Sequence, residues 1–285
     1  MYNGEQPLIL ACSHPNSFFD ALVMGAYHPR RLHFLARGDA FKNPRAAKAL
    51  RMLNMIPIYR LSEGKEHVEN NRDTFDECNR VFKNKGTVLI FSEGVCVNEW
   101  KLRPLKKGTA RLAYMCWEEH GIKDMLIQPV GINYNSFKAL PKLVHVQYGP
   151  VMTNAGFDMQ SPATFYKEFN DVLTDRLEPI VFAEDNPRLK KDGHNTFYKA
   201  LLALPALAGW IIHKPFFLLW RSFIQRKTKG TVFFDSVLFA SLLMIYPILV
   251  LAITITAVAI TQQPLYWLLF LLLPFTAWSY KQFRS

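Results

Sequence analysis

The sequence predicts an α/β fold with a mixed, mainly parallel sheet flanked by helices, followed by C-terminal membrane helices. Over residues 1–184, short apolar runs alternate with segments of helical, amphipathic spacing. A polar stretch at 184–192 then marks a boundary. Near the C-terminus, the 45 residues from 236 to 280 include no Asp, Glu, Lys, Arg or His. That length without charge is typical of a pair of membrane helices.

Six apolar runs are predicted as strands. They are short, and several are apolar throughout, which is typical of strands buried on both faces of a parallel sheet. In chain order they are Leu8–Cys12, Leu32–Leu35, Met55–Tyr59, Thr87–Phe91, Met125–Val130 and Val144–Tyr148.

Helices are predicted between and after these strands, from apolar residues spaced three, four and seven apart. Helices that alternate with buried strands supply the crossovers that parallel neighbours need, so we expect a layered sheet-and-helix domain. The two clearest apolar faces consist of Val68, Phe75, Cys78 and Phe82, and of Phe165, Phe169, Val172, Leu173, Leu177 and Ile180.

Three regions are predicted along the chain: an α/β domain at 1–184, a basic linker with an apolar segment at 185–234, and a transmembrane helical hairpin at 235–285. The apolar segment, Phe197–Trp220, is interrupted by Pro205 and by Pro215. Neither half reaches the roughly twenty residues that cross a bilayer. We expect this segment to lie at the membrane interface or to re-enter it. The alternative is a helical hairpin buried inside the protein.

The uncharged segment is divided by Thr261–Pro264 into spans of 25 and 16 residues. Basic residues flank both outer ends, at 221–229 and at 281–284. Because positive charge favours the cytoplasmic side, both ends of the hairpin and the N-terminal domain are predicted to be cytoplasmic. The N-terminus lacks the pattern of a signal peptide, which fits the same compartment.

The net charge of +11 and the pI near 9.5 indicate a polyanionic partner. Charge alone does not choose between nucleic acid, anionic lipid and a phosphorylated substrate, but the apolar C-terminus favours membrane lipids. No nucleic-acid-binding motif accompanies the charge, so no nucleic-acid partner is expected. The four cysteines, Cys12, Cys78, Cys96 and Cys116, have no metal-like spacing and are predicted to be buried free thiols, with no metal site.

His14 and Asp20 are the first candidates for chemistry. His14 follows a predicted strand, at the edge where α/β sheets place their sites. Asn16 or Ser17 can cap the next helix, which puts Asp20 in its first turn. The carboxylate then accepts a hydrogen bond from one imidazole nitrogen and leaves the other to take a proton from a hydroxyl. A structural histidine that caps the turn is the alternative.

Four blocks in the first half of the chain resemble, in order, the motifs of the glycerolipid acyltransferase family (1-acylglycerol-3-phosphate and glycerol-3-phosphate acyltransferases). They are His14–Asp20, Ile56–Arg60, Phe91–Gly94 and Gln128–Val130. Five residues separate His14 from Asp20, as in the branch that acylates glycerol 3-phosphate and dihydroxyacetone phosphate. The resemblance implies a membrane O-acyltransferase of phospholipid biosynthesis. It would move a fatty acyl group from a thioester of coenzyme A or acyl carrier protein to a hydroxyl of glycerol 3-phosphate or a lysophospholipid, without a metal or other cofactor.

The resemblance also implies residue roles. His14 would be the base and Asp20 its orienting partner, and Arg60 would bind the acceptor phosphate. The other substrate-binding residues would be Asn16, Glu93, Gly94, Lys101 and Arg103. Family members often have membrane-associating helices ahead of the histidine, and this sequence has none there. Either the C-terminal hairpin replaces them, or the start codon of this sequence is set too late.

Two departures affect the acceptor. Ser92 replaces the usual proline, and the arginine that many members carry after Gly94 is missing from Val95–Val97. The candidates to supply that charge are Lys101, Arg103, Lys106 and Lys107. The alternatives are a lyso-aminolipid acceptor and a catalytically silent lipid-binding membrane protein. A basic region at 30–60 is predicted to contact anionic headgroups, coenzyme A phosphates or acyl carrier protein, unless it is only a solvated face.

Overall fold

The computed structural model describes residues 4–59, 71–140, 142–190 and 196–284. The chain divides into two compact units, which we call the sheet unit (1–133 and 144–186) and the helical unit (134–143 and 187–285).

The described sheet has six strands: β1 Leu8–Cys12, β2 Leu32–Arg37, β3 Met55–Ile58, β4 Thr87–Phe91, β5 Leu126–Tyr134 and β6 Val144–Tyr148. Their order in the sheet is β3-β2-β4-β1-β5-β6. β1 pairs in parallel with β4 and β5, and β2 with β3 and β4. β6 returns antiparallel to β5, since Gly149 donates to Pro129 O while Asn135 donates to Leu143 O. The mixed, mainly parallel sheet is therefore confirmed.

Helices follow the strands, and two of them begin at strong sequence signals. The second helix has Pro44 in its first turn and Asn43 as its N-cap, and the fifth has Pro162 and Ser161 in the same roles. The helices of the sheet unit are α1 Phe18–Tyr27, α2 Pro44–Met52, α3 Asn71–Lys83, α4 Gly108–Tyr114 and α5 Pro162–Leu177; those of the helical unit are α6 Thr196–Lys227, α7 Phe234–Thr261 and α8 Leu269–Arg284.

The core of the sheet unit lies between β1, β4, β5 and the helices α3, α4 and α5. Phe165 and Phe169 of α5 are fully buried and pack edge-on against Trp117, whose indole N–H donates to Met125 O at 2.9 Å. Four of the apolar residues predicted on this helix, the two phenylalanines with Leu173 and Leu177, are fully buried. This packing holds β1 and β4 rigid at the centre of the sheet.

The prediction that prolines divide the apolar segment was wrong. α6 is one helix of 32 residues with Pro205 and Pro215 inside it. Each proline removes one backbone donor, and packing against a neighbour compensates for the loss. That neighbour is α8: a Cβ on Gly209 would stand 2.1 Å from Thr276 O, and His213 Nε2 lies 3.0 Å from Leu273 O.

Two described helices, Ala200–Lys227 within α6 and Phe234–Thr261, are long and apolar enough to cross a membrane, by length and composition alone. α7 ends at Gln262 in the left-handed conformation, and a 3₁₀ turn at Pro264–Leu268 leads into α8. A buried ion pair between Lys142 and Asp235 joins the 134–143 segment to the start of α7.

Candidate active site

The candidate site lies where β1 and β4 end side by side. Cys12 and Phe91, their last residues, are in register, and Ser92 continues the ladder by donating to Cys12 O at 3.0 Å. His14 follows one strand and Glu93 the other. The parallel pairing of two apolar runs therefore brings together residues 79 positions apart in the chain.

His14 is paired with Asp20. Nδ1 lies 2.9 Å from Asp20 Oδ2, and the carboxylate is fully buried. Because an ionised carboxylate only accepts, Nδ1 carries the proton and Nε2 is the basic nitrogen. The same Oδ2 accepts the Asn16 N–H at 2.8 Å. Ser17 is the N-cap of α1 but makes no side-chain cap, so Asp20 also supports the helix start.

The ring of Phe91 holds the imidazole from a second side. The two rings stack with their centroids 3.8 Å apart and their planes 13° apart. The His14 side chain is 15% exposed, and no hydrogen bond to Nε2 is formed by the described residues. Sequence reasoning missed this role for Phe91. Its position beside His14 follows from the pairing of β4 with β1, which no local sequence signal indicates.

Glu93 joins three segments of the site. It is buried, and its Oε1 accepts the His14 N–H at 2.7 Å while Oε2 accepts the Arg103 N–H at 3.3 Å. Burial raises the pKa of the Glu93 carboxyl, although the hydrogen bond from His14 favours the ionised form. In the structure Glu93 thus positions the loops on either side of it.

Gly94 occupies a conformation that other residues rarely adopt. Its φ is +66°, and a Cβ would stand 2.8 Å from Lys106 Cγ. Its N–H closes the turn by donating to Phe91 O at 3.0 Å. The glycine is therefore required by the turn that presents Glu93.

The loop after Gly94 packs on the His14 turn. Cys96 Sγ accepts the Ser17 N–H at 2.8 Å, and Asn98 Nδ2 donates to Pro15 O at 2.7 Å. Burial, with the charge of Asp20, raises the pKa of Cys96 to about 12. A neutral thiol therefore lies in the segment where the resemblance leads one to expect an arginine.

The other predicted substrate-binding residues do not lie free beside His14 in the described structure. Arg103 Nη1 lies 3.1 Å from Glu99 Oε1, and Lys101 Nζ lies 3.5 Å from Glu99 Oε2, so both cations are paired. Asn16 is fully buried and contributes its backbone N–H to the turn. Arg60 lies outside the described residues.

Comparison with known proteins relates the first part of the sheet unit to one protein family. Residues 2–133 match the family model described as Acyltransferase, a range that includes His14, Asp20 and Glu93. This part of the chain is therefore similar to acyltransferase domains. The match agrees with the reaction class that the resemblance of the motifs implies.

A solved structure, the 1-acyl-sn-glycerophosphate (LPA) acyltransferase PlsC from Thermotoga maritima, is similar at 18% identity with a TM-score of 0.41. The match covers 61% of this chain and 66% of that chain. No curated protein matches the sequence. The similarity to acyltransferases therefore rests on the family match.

Proposed function

We propose that this acyltransferase moves a fatty acyl group from a thioester of coenzyme A or acyl carrier protein to a hydroxyl of glycerol 3-phosphate or a lysophospholipid, with His14 as general base. The observation that carries the proposal is the contact of His14 Nδ1 with the buried carboxylate of Asp20 at 2.9 Å. It fixes the tautomer in which Nε2 accepts a proton.

The reaction balances with these groups alone. Nε2 takes the proton of the acceptor hydroxyl as its oxygen bonds to the thioester carbonyl carbon. The C–S bond of the tetrahedral intermediate then breaks, and the leaving thiolate takes the proton back from Nε2. Asp20 stabilises the imidazolium between the two steps, and Phe91 and Glu93 keep the ring and its backbone in place. No metal or redox cofactor enters this proposal.

Arg60 is the proposed ligand of an acceptor phosphate, because a guanidinium binds two phosphate oxygens at once. Replacing Arg60 by Ala should raise the KM for glycerol 3-phosphate about 10-fold or more, which corresponds to the loss of a charge-assisted hydrogen bond. Arg60→Lys should restore only part of the affinity. Equal KM values for Arg60→Ala and the wild type would contradict this role.

A lyso-aminolipid acceptor is the second candidate, and Cys96 favours it. The thiol is neutral, and Glu99 pairs with Lys101 and Arg103, two of the four cations expected to compensate for the missing arginine. Mass spectrometry after incubation with one labelled acyl thioester and a mixed panel of acceptors separates the two candidates. Labelled phosphatidate or lysophosphatidate supports the first, and a labelled aminolipid supports the second.

We also propose that the helical unit attaches the enzyme to a membrane, with the acyltransferase domain in the cytoplasm. The support is the length and apolar composition of Ala200–Lys227 and Phe234–Thr261 and the basic residues at 221–229. The full-length protein should therefore resist extraction by high salt and by carbonate.

Truncation after Lys229 separates the contributions of the helices. Because α6 is continuous, the truncated protein should also resist high salt, whereas an interfacial segment held by charge would be released. Truncation after residue 190 removes all three helices and is the control, which should be soluble. Release of the full-length protein by salt would refute attachment by apolar helices.

A further inference from the structure

A second concave site lies at the opposite ends of the strands, where β2, β3 and β4 begin. Its cavity, of about 580 Å³, is lined by residues at the start of β2 and β3, by the residue before β4 and by the C-terminal parts of α2 and α3. That volume is within the usual range for small-molecule sites. The lining residues are Arg31, His33, Arg51, Asn54, Met55, Ile56, Glu77, Arg80, Val81, Asn84 and Gly86.

This cavity is separate from the acyltransferase site. Gly86 lies just before β4, whereas His14 and Glu93 lie beyond the opposite ends of β1 and β4. The five residues of β4 between them span about 16 Å at 3.3 Å per residue. The sheet itself stands between the two sites, so one small molecule does not occupy both.

The charge of the wall is positive. Three arginines and one glutamate line the described cavity, which leaves a net charge of +2. Arg51 is paired with Glu77 at 3.1 Å, and Arg31 donates to the neutral amide of Asn54 at 2.6 Å. The charges of Arg31 and Arg80 are therefore not balanced by a carboxylate among the residues of this wall.

Favourable interaction with a helix dipole explains the positions of two of the three arginines. Arg51 and Arg80 lie in the last turns of α2 and α3, where a cation is favoured by the carbonyl end of the helix. Arg31 precedes β2 and has no such reason to face the cavity. Three chain segments thus contribute arginines to one concave surface, which is the arrangement that binds an anion through several guanidinium groups.

We propose that this cavity binds a phosphomonoester group, in addition to the substrates of the acyltransferase site. A phosphomonoester carries a charge of about −1.5 to −2 at neutral pH, which matches the net charge of the wall. Met55, Ile56 and Val81 line the remainder and suit an apolar substituent. The group belongs either to a free small molecule or to a lipid headgroup, and the two sources are distinguished experimentally.

The test measures binding to the full-length protein in neutral detergent micelles by titration calorimetry. Phenyl phosphate represents a free phosphomonoester and dihexanoyl phosphatidic acid a lipid headgroup. Arg80→Gln and Arg31→Gln change the site from two different elements, and both positions are exposed. Arg72→Gln is the matched control, because it makes the same change on α3, eight residues or about 12 Å from Arg80.

We expect at least one probe to saturate the wild type and to bind about 10- to 100-fold more weakly to Arg80→Gln and Arg31→Gln, with Arg72→Gln unchanged. The probe that binds more tightly identifies the source of the phosphate. Binding of the lipid probe at the acyltransferase site would be equal in all variants and so does not affect the comparison. The absence of saturable binding, or equal affinity in all four proteins, would overturn the proposal, whatever the outcome for acyl transfer.

Discussion

Replacing Asp20 by Asn tests the pairing on which the site depends. One oxygen of Asp20 accepts both the Nδ1–H of His14 and the backbone N–H of Asn16, at 2.9 and 2.8 Å. An asparagine of the same shape either turns its oxygen to this position and keeps both bonds without the charge, or turns its amino group there and opposes two donors. Both orientations remove the negative charge next to the imidazole.

The expected magnitude follows from the distance. A carboxylate whose charge lies about 4 Å from that of the imidazolium stabilises it by about 4 kcal/mol at an effective dielectric constant of about 20. Each 1.36 kcal/mol of barrier is about tenfold in rate, and the imidazolium is only partly formed in the transition state, so we expect kcat to fall about 10²- to 10³-fold. The weaker hydrogen bonds should also cost about 1–3 kcal/mol of stability.

The assay follows release of the thiol from an acyl-coenzyme A donor at saturating acceptor, with the thermal unfolding midpoint measured on the same samples. Asp39→Asn is the control, since that carboxylate is partly exposed and pairs only with Arg37 in the described structure. It should behave as the wild type. A folded Asp20→Asn enzyme whose kcat stays within about threefold of the wild type would refute the role, because that change is under 1 kcal/mol of barrier.

Three further predictions concern stability, measured as unfolding midpoints in detergent. The raised pKa of Glu93 means that its folded state holds a proton more tightly than its unfolded state, so wild-type stability should fall as pH rises through that pKa. Glu93→Gln should not show this loss of stability with rising pH. The same pH dependence of the midpoint in the variant and the wild type would contradict the prediction. Gly94→Ala should cost about 1 kcal/mol or more, from its positive φ and the crowding by Lys106, and an unchanged midpoint would refute the strain. Lys142→Ala should cost about 3–5 kcal/mol by leaving Asp235 buried without its cation, whereas replacing both by apolar residues should be nearly neutral; a harmless single variant would count against burial of the pair.

The sheet was predictable because its strands are buried on both faces and read as apolar runs. β1, β4 and β6 have the predicted bounds, but β5 extends to Tyr134, beyond the predicted Val130. The polar Asn133 suggests the end of a strand, yet its amide donates to Ile180 O and accepts the Phe182 N–H. Such a buried polar partner is set by tertiary contacts and has no local signal.

The contact between His14 and Asp20 could be predicted from the sequence, but the residues that hold this pair in place could not. The spacing of His14 and Asp20 on a strand-to-helix turn is local, so the contact could be anticipated. The Phe91 ring and the two hydrogen bonds of Glu93 depend on which strands are neighbours. The neutralisation of Arg103 by Glu99 likewise depends on the path of a loop that no periodicity describes.

The central claim is that His14 takes the proton of the acceptor hydroxyl, and acyl transfer by His14→Ala tests it most directly. The rate of transfer from a labelled acyl thioester, followed by mass spectrometry of the acylated product, should fall about 10²- to 10⁴-fold. The variant should remain folded and resist salt extraction like the wild type. Its stability should fall by only about 1–3 kcal/mol for the lost hydrogen bond, since the Asp20 carboxylate keeps the Asn16 N–H. A folded His14→Ala protein that keeps more than about half of the wild-type rate would contradict general-base catalysis by His14.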